Sequence, residues 1–249
     1  MTIDYPKAEQ KAALRQLFQA AFGDSETFLD RFFATGFHPR RCRCITVDGH
    51  LAAALYWFDC DFAEGKIAYL YAVATDKSHR GKGLCNRLMA DTHDLLKALG
   101  YAGAILVPGS ESLFRFYAKM GYETISCARS FTCDVGESPL PMRQISAAEY
   151  AFLRRQLLPQ NGVLQEGESL RFLESCWQLY AGDGWCMAAT TDGDKLYAME
   201  LLGSAAAPGI VASMDCKSGH FRTPGGDPFA MYFPLCRKAV PGYFGLAFD

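Results

Sequence analysis

Leu70-Tyr71-Ala72-Val73-Ala74-Thr75-Asp76-Lys77-Ser78-His79-Arg80-Gly81-Lys82-Gly83-Leu84-Cys85 runs from an apolar strand pattern through a basic, glycine-bearing turn into an amphipathic helix pattern. Such a passage makes an anion site. The first-turn N–H groups of a helix lack intrahelical acceptors and sit at the positive end of its dipole, so a phosphate placed there gains several hydrogen bonds at once. Gly81 and Gly83 allow close backbone approach, and Arg80 and Lys82 add charge, which suits a diphosphate. Two nucleotide motifs are excluded. A Walker loop requires Gly-Lys-Ser/Thr, and Leu84 follows Gly83; a dinucleotide fingerprint requires a third glycine where Asn86 stands.

Working outward, Leu84, Leu88, Leu95, Leu96 and Leu99 mark a helix that Gly100 ends. Upstream, the spacing predicts strands over 43–47, 51–58 and 66–75, the first two joined by an Asp48-Gly49-His50 hairpin. Before them come helices over 8–22, closed by Gly23, and from a Ser25 cap through Phe33. Downstream follow strands at 102–107, 122–126 and 129–135, with a helix over 111–120. A glycine and two prolines in Val135-Gly136-Glu137-Ser138-Pro139-Leu140-Pro141 suit a linker. Beyond it the pattern predicts helices over 146–158 and 170–181, a hairpin of 185–191 with 195–202, and strands at 210–214, 229–233 and 243–248. That second part repeats the first plan without a basic glycine loop. Phe221-Arg222-Thr223-Pro224-Gly225-Gly226-Asp227-Pro228 reads as a tight turn, because its prolines remove donors and Asp227 repels phosphate.

The 249 residues carry 25 basic and 27 acidic side chains, a net charge of −2, with no basic excess to suit DNA or RNA. The N-terminus lacks a signal-peptide pattern and no apolar run reaches the length of a membrane span, so a soluble, cytoplasmic protein is expected. Ten scattered cysteines form no C-x-x-C pair. They read as free thiols packed in the core, Cys42 and Cys44 included, and no metal site is assigned.

The segment from Arg80 to Cys85 resembles the acetyl-CoA loop of the GNAT (Gcn5-related) N-acetyltransferases, Arg/Gln-x-x-Gly-x-Gly/Ala, with Cys85 larger than the usual last residue. Pro108-Gly109-Ser110-Glu111-Ser112-Leu113-Phe114-Arg115-Phe116-Tyr117-Ala118-Lys119-Met120-Gly121-Tyr122-Glu123 resembles the family's later helix, which ends in Phe-Tyr-x-x-x-Gly-Phe/Tyr. The resemblance implies an α+β, mixed α/β, GNAT acyl-CoA N-acyltransferase fold around a twisted mixed sheet. It implies an acetyltransferase domain over 1–135, a linker over 136–141 and a degenerate GNAT-like domain over 142–249. A tandem of this kind is similar to the Eis-like branch, in which Val-Ala-Thr also precedes the loop. That branch usually has proline where Lys77 stands, and a further sterol-carrier-like domain for which this chain has no room.

The implied reaction moves acetyl from acetyl-CoA to a primary amine of a small molecule or peptide. Main-chain groups of Gly81, Lys82, Gly83, Leu84 and Cys85, closed by Arg80, would grip the diphosphate, with Ala74 and Thr75 as backbone contacts for pantetheine. Tyr117 matches the general acid that protonates the departing sulfur. Ser110 either bonds the cofactor or caps its helix. For the general base, Asp59, Asp61, Glu64 and His79 are open alternatives, and the Eis-like branch adds the carboxylate of Asp249. Cys85 either has a thiol of lowered pKa beside a helix N-terminus or is simply tolerated there. Tyr56, Trp57, Phe58, Phe62, Tyr69 and Tyr71 either shape an acceptor tunnel or pack the core. A non-catalytic acyl-CoA sensor and a structural tandem that binds no cofactor remain alternatives, and a monomer or homodimer is expected.

Overall fold

Local chemistry sets the elements of the first half in the computed structural model, which describes residues 1–63, 65–236 and 240–248. β1 (Thr2–Asp4) precedes α1 (Lys11–Phe22), whose stripe of Leu14, Leu17 and Phe18 is buried and whose end is closed by Gly23 at φ +76°. The Ser25 hydroxyl accepts from Phe28 N–H at 3.2 Å to cap α2 (Glu26–Arg31). β2 (Cys42–Val47) turns into β3 (His50–Phe62) through Asp48 and Gly49, both at positive φ as a two-residue hairpin requires. Next come β4 (Gly65–Thr75), α3 (Leu84–Ala98), β5 (Gly103–Leu106), α4 (Glu111–Ala118) and β6 (Glu123–Asp134).

The second half runs in a similar order but has no helix between its last two strands. It contains β7 (Arg143–Gln144), α5 (Ala147–Leu157), α6 (Glu168–Cys176), β8 (Gln178–Gly182), β9 (Trp185–Asp192), β10 (Lys195–Gly203), α7 (Ala207–Ser213), β11 (Ser218–Pro224) and β12 (Asp227–Pro234). Four expectations are corrected. The helix expected over 170–181 stops at Cys176, because Gln178 to Gly182 pair with β9. Residues 210–214, read as a strand, belong to α7 and its C-cap, since the parallel neighbours β10 and β11 need a crossover. Residues 243–248 are no strand; side chains hold them instead, Ser126 at Phe244 and Gln165 at Leu246. The strands expected at 122–126 and 129–135 are one, β6.

Among the described residues all twelve strands form one mixed sheet, in the order β1-β2-β3-β4-β5-β12-β6-β11-β10-β9-β8-β7. The parallel neighbours are β4 with β5 and β10 with β11, at matching places in the two halves. The last strand of each half crosses over. β12 lies against β5, and β6 lies against β11, so the halves interlock across a central β12–β6 pair. Strands from before and after the segment expected as a linker, 136–141, lie in the same sheet.

One face of the sheet carries a core shared by both halves, in which Phe58 stacks on Phe172 at 5.6 Å and meets Phe248 at 4.9 Å. Strand alternation puts Trp57 on the opposite face, where Leu84, Leu88, Met89 and Leu96 of α3 cover it. Burying each such side chain stabilises by about 1.5–3 kcal/mol, which holds the start of α3 against the end of β4.

Candidate active site

β4 and β5 pair only at Ile67–Gly103, Ala68–Ala104 and Tyr69–Ile105, and then part. On its other edge β4 carries a bulge. Ala54 faces Ala74 and Tyr56 faces Tyr71, so Ala72 and Val73 together oppose Leu55. Ala72 takes φ +50°, strained for a residue with a Cβ. The parted strands open onto a cavity of about 870 Å³ lined by residues 69–73 of β4, Leu106 to Gly109, and Tyr117 of α4. α1, the α1–α2 turn, Trp177, Phe229 and Phe248 complete its lining.

Past the cavity, Asp76 accepts from Ser78 N–H at 2.9 Å and caps a single turn over Lys77–His79. Hydrogen bonds from the Ser78 hydroxyl and N–H hold the Asp76 carboxyl below its ordinary pKa. Asp76 N–H donates to Ala52 O at 2.9 Å, so alternation turns the backbone groups of Thr75 away from β3. Its carbonyl accepts from Arg80 Nε at 3.1 Å. Gly81 and Gly83 follow at φ +75° and +73°, and a Cβ on either would meet nothing within 4 Å. Among the described residues the N–H groups of Gly81, Lys82 and Gly83 donate to no partner. The first helical bond of α3 is Arg87 N–H to Gly83 O at 3.2 Å, which leaves the N–H groups at 84–86 pointing out of its first turn. Arg80 and Lys82 are exposed, while Leu84 is buried and anchors the turn.

Tyr117 is 7% exposed, and burial, with the Cys85 thiol adding to it, pushes its phenol far above the ordinary value. It stays protonated at neutral pH. Burial raises the Cys85 thiol to about 11, so the activated thiol considered for this position is corrected to an inert one: desolvation outweighs the helix terminus. The Ser110 hydroxyl accepts from Leu113 N–H at 3.4 Å as the cap of α4.

The candidate bases lie elsewhere. Asp59 is engaged by Tyr101 Oη at 2.5 Å, Lys66 Nζ at 2.8 Å and Arg41 Nη1 at 3.6 Å. Asp61 is exposed, paired with Lys66 of β4 and bridged through its backbone to Leu164, and His79 is tied to Ser78 at 2.9 Å. None of these three lines the cavity. Glu64 and Asp249 lie outside the described residues, although Ala247 and Phe248 line the cavity. Of the six aromatic residues considered for an acceptor tunnel, Tyr69 and Tyr71 line it and the other four pack in the core.

Sequence reasoning missed two features. The bulge at Ala72 arises from pairing with β3 and leaves no mark in composition. Asp24, between Gly23 and Ser25, is the acid among the described lining residues. Its signal was a lone carboxylate in a two-helix turn.

Among the described residues no three His, Cys, Asp or Glu side chains cluster as a metal site, and no helix is long and apolar enough to cross a membrane. The family model of the GNAT acetyltransferase domain matches residues 2–125. No curated protein sequence matches the chain. The fold is similar to that of a GCN5-related N-acetyltransferase from Anabaena variabilis (TM-score 0.72, 15% identity, 94% of this chain and 72% of that one). It is also similar to a GCN5-related N-acetyltransferase from Kribbella flavida (0.69, 14%, 94% and 72%) and to Eis1 from Mycobacterium abscessus (0.66, 10%, 94% and 74%).

Proposed function

Because this chain belongs to the GNAT acetyltransferase family, we propose that it moves the acetyl group of acetyl-CoA to a primary amine of a small molecule or peptide by direct attack, with Tyr117 as general acid. One observation carries the reading: a protonated, buried phenol lines the cavity that opens where β4 and β5 part, next to an open glycine turn.

The residues fit the donor. N–H groups from Gly81 to Cys85 meet the diphosphate without a Cβ in the way, and Arg80 and Lys82 add charge from the rim. Arg80 also fixes the loop through Thr75 O. Pantetheine then runs along Ala74 and Thr75 into the cleft, which brings the thioester to the bulge. A main-chain N–H there donates to the carbonyl oxygen as charge develops, worth about 3 kcal/mol. Ser110 keeps its role as cap of α4 and so sets the position of Tyr117.

The neutral amine attacks the thioester carbon; the C–N bond forms as the C–S bond breaks. Tyr117 gives its proton to the departing sulfur, and the proton lost by the new amide nitrogen returns to the phenolate through water. Burial that keeps the phenol protonated is what this step requires. The second half serves as a degenerate unit that completes the sheet with β12, and residues 136–141 join the two.

Tyr117→Phe tests the assignment. Its kcat for any accepted amine is expected to fall by about 10²–10³ while acetyl-CoA affinity is kept. Unchanged turnover would remove Tyr117 from the reaction. Acetyl-CoA at 100 times its Kd should add about 2.7 kcal/mol to stability, and no added stability would remove the donor site itself.

A further inference from the structure

Alkyl amines are ammonium ions at neutral pH, so an acceptor of that class must lose a proton before it attacks. Asp59, Asp61 and His79 lie off the cavity, whereas Asp24 lines it, the one carboxylate among its described lining residues. Packing ties the turn that carries Asp24 to the donor strand on both of its flanks. On one side Phe22 lies 5.1 Å from Phe18, which lies 6.0 Å from Tyr71, the neighbour of the bulged Ala72. On the other, Phe28 lies 5.7 Å from Phe172, which lies 6.4 Å from Tyr71. Asp24 is half-buried between the left-handed cap of α1 and the serine cap of α2. Its acidic neighbours are already claimed, Glu26 by Arg15 and Gln19, and Asp30 by Arg15 at 2.8 Å. Among the described residues Asp24 itself makes no hydrogen bond and no ion pair, and no Lys, Arg or His lines the cavity.

We infer that Asp24 is the general base of the transfer: its carboxylate takes a proton from the acceptor's ammonium, directly or through one water, and the same nitrogen, now neutral, attacks the thioester carbon. The inference rests on the acetyl-transfer reading above. The exchange turns an ammonium and a carboxylate into an amine and a carboxylic acid. Phe18, Phe22, Phe28, Trp177 and Phe248 line the same cavity, and such poorly solvating walls favour the neutral pair more than water does. Burial raises the Asp24 pKa in agreement. As the C–N bond forms and the C–S bond breaks, Tyr117 protonates the sulfur and the nitrogen's second proton passes to the phenolate. Asp24 then gives its proton to solvent, so one proton leaves per turnover.

Turnover of benzylamine, an ammonium at neutral pH, and of 4-methoxyaniline, which is already neutral there, separates a base from a mere anchor. Asp24→Asn is expected to lower kcat for benzylamine about 10²–10³-fold and to leave kcat for 4-methoxyaniline nearly unchanged. Asp24→Glu should restore part of the benzylamine rate. Stabilisation by acetyl-CoA should be the same in the wild type and both variants, which shows that they are folded. Equal losses for the two amines overturn the inference, and so does a raised KM for benzylamine with kcat kept, the mark of an ammonium anchor. Full turnover of both amines by Asp24→Asn, with Tyr117→Phe impaired, overturns the base and keeps the transfer. Release of CoA by the wild type with neither amine removes the transfer and the base with it.

Discussion

The crossover from β4 through α3 to β5 and the one from β10 through α7 to β11 hold equivalent places in the same sheet, and both central strands are bulged. In β4 the extra residue lies at Ala72–Val73; in β10 it is Met199, between Ala198 and Glu200. The outcomes differ because of what surrounds each bulge. In the first half the strands part after three pairs, two left-handed glycines stand in open space, and a fifteen-residue helix begins. In the second, β10 and β11 pair at four positions, Lys195 to Ala198, but Arg222 donates to the bulged Met199 carbonyl at 3.4 Å, and α7 has only seven residues with Pro208 in its first turn. A bulge therefore makes a site only where the following crossover leaves its backbone groups to a ligand.

The largest effect should come from breaking what fills the second half. Arg154 Nε and Nη2 bind Glu200 at 2.6 and 3.1 Å, Tyr150 Oη adds a bond at 3.3 Å, and both charges are fully buried. Glu200→Gln leaves the guanidinium buried without its counter-charge and should cost about 3–5 kcal/mol. In thermal unfolding that is a fall of about 10 °C for a chain this long. The double change Arg154→Met with Glu200→Met should cost less than the single one, since neither charge is stranded.

The first half should instead be sensitive to acid. His93 of α3 bonds Tyr122 Oη at 2.7 Å and stacks on Phe233 of the exchanged strand at 4.3 Å, and burial lowers its pKa to about 4. The folded value lies below the unfolded value of about 6.5, so the native state binds fewer protons. Its contribution is complete above pH 6.5 and is lost as pH falls toward 4, a change of about 3 kcal/mol. Urea unfolding across that window measures it, and His93→Gln should flatten that part of the profile.

How much of this was legible depends on whether the determining contacts are local. The Asp48-Gly49 hairpin, the Ser25 cap and the helix from Leu84 could be read because each depends on neighbours in the chain. The glycine turn was visible for the same reason, and Tyr117 stood out through the family resemblance of the helix that carries it. Misreadings came where a distant strand decides. Gln178–Gly182 continues a helical apolar spacing, yet β9 captures it, and α7 has an apolar run that would suit a strand if β11 were not parallel to β10. Asp59 looked available because Lys66 and Tyr101 reach it only in the folded sheet. Asp24 looked incidental because only folding brings it among Phe28, Trp177 and Phe248.

Two glycine substitutions sharpen the contrast between the halves. Gly203, at φ +87° at the end of β10, has the Gly184 carbonyl oxygen 2.1 Å from where a Cβ would stand, so Gly203→Ala must shift backbone and should cost about 2–3 kcal/mol. Gly83 has a similar φ of +73° but empty surroundings, so Gly83→Ala should cost only about 1 kcal/mol, the strain of an L-residue in that region. The order reverses when ligand is the readout. A methyl group on Gly83 stands where the diphosphate would approach, so Gly83→Ala should shrink the stabilisation conferred by acetyl-CoA, while Gly203→Ala should leave that increment intact on a lower baseline. Thermal unfolding of both variants with and without acetyl-CoA gives the four numbers needed. If Gly203→Ala, and not Gly83→Ala, erased the ligand increment, the donor would have to be assigned to the second crossover, and the degeneracy of that half would be wrong.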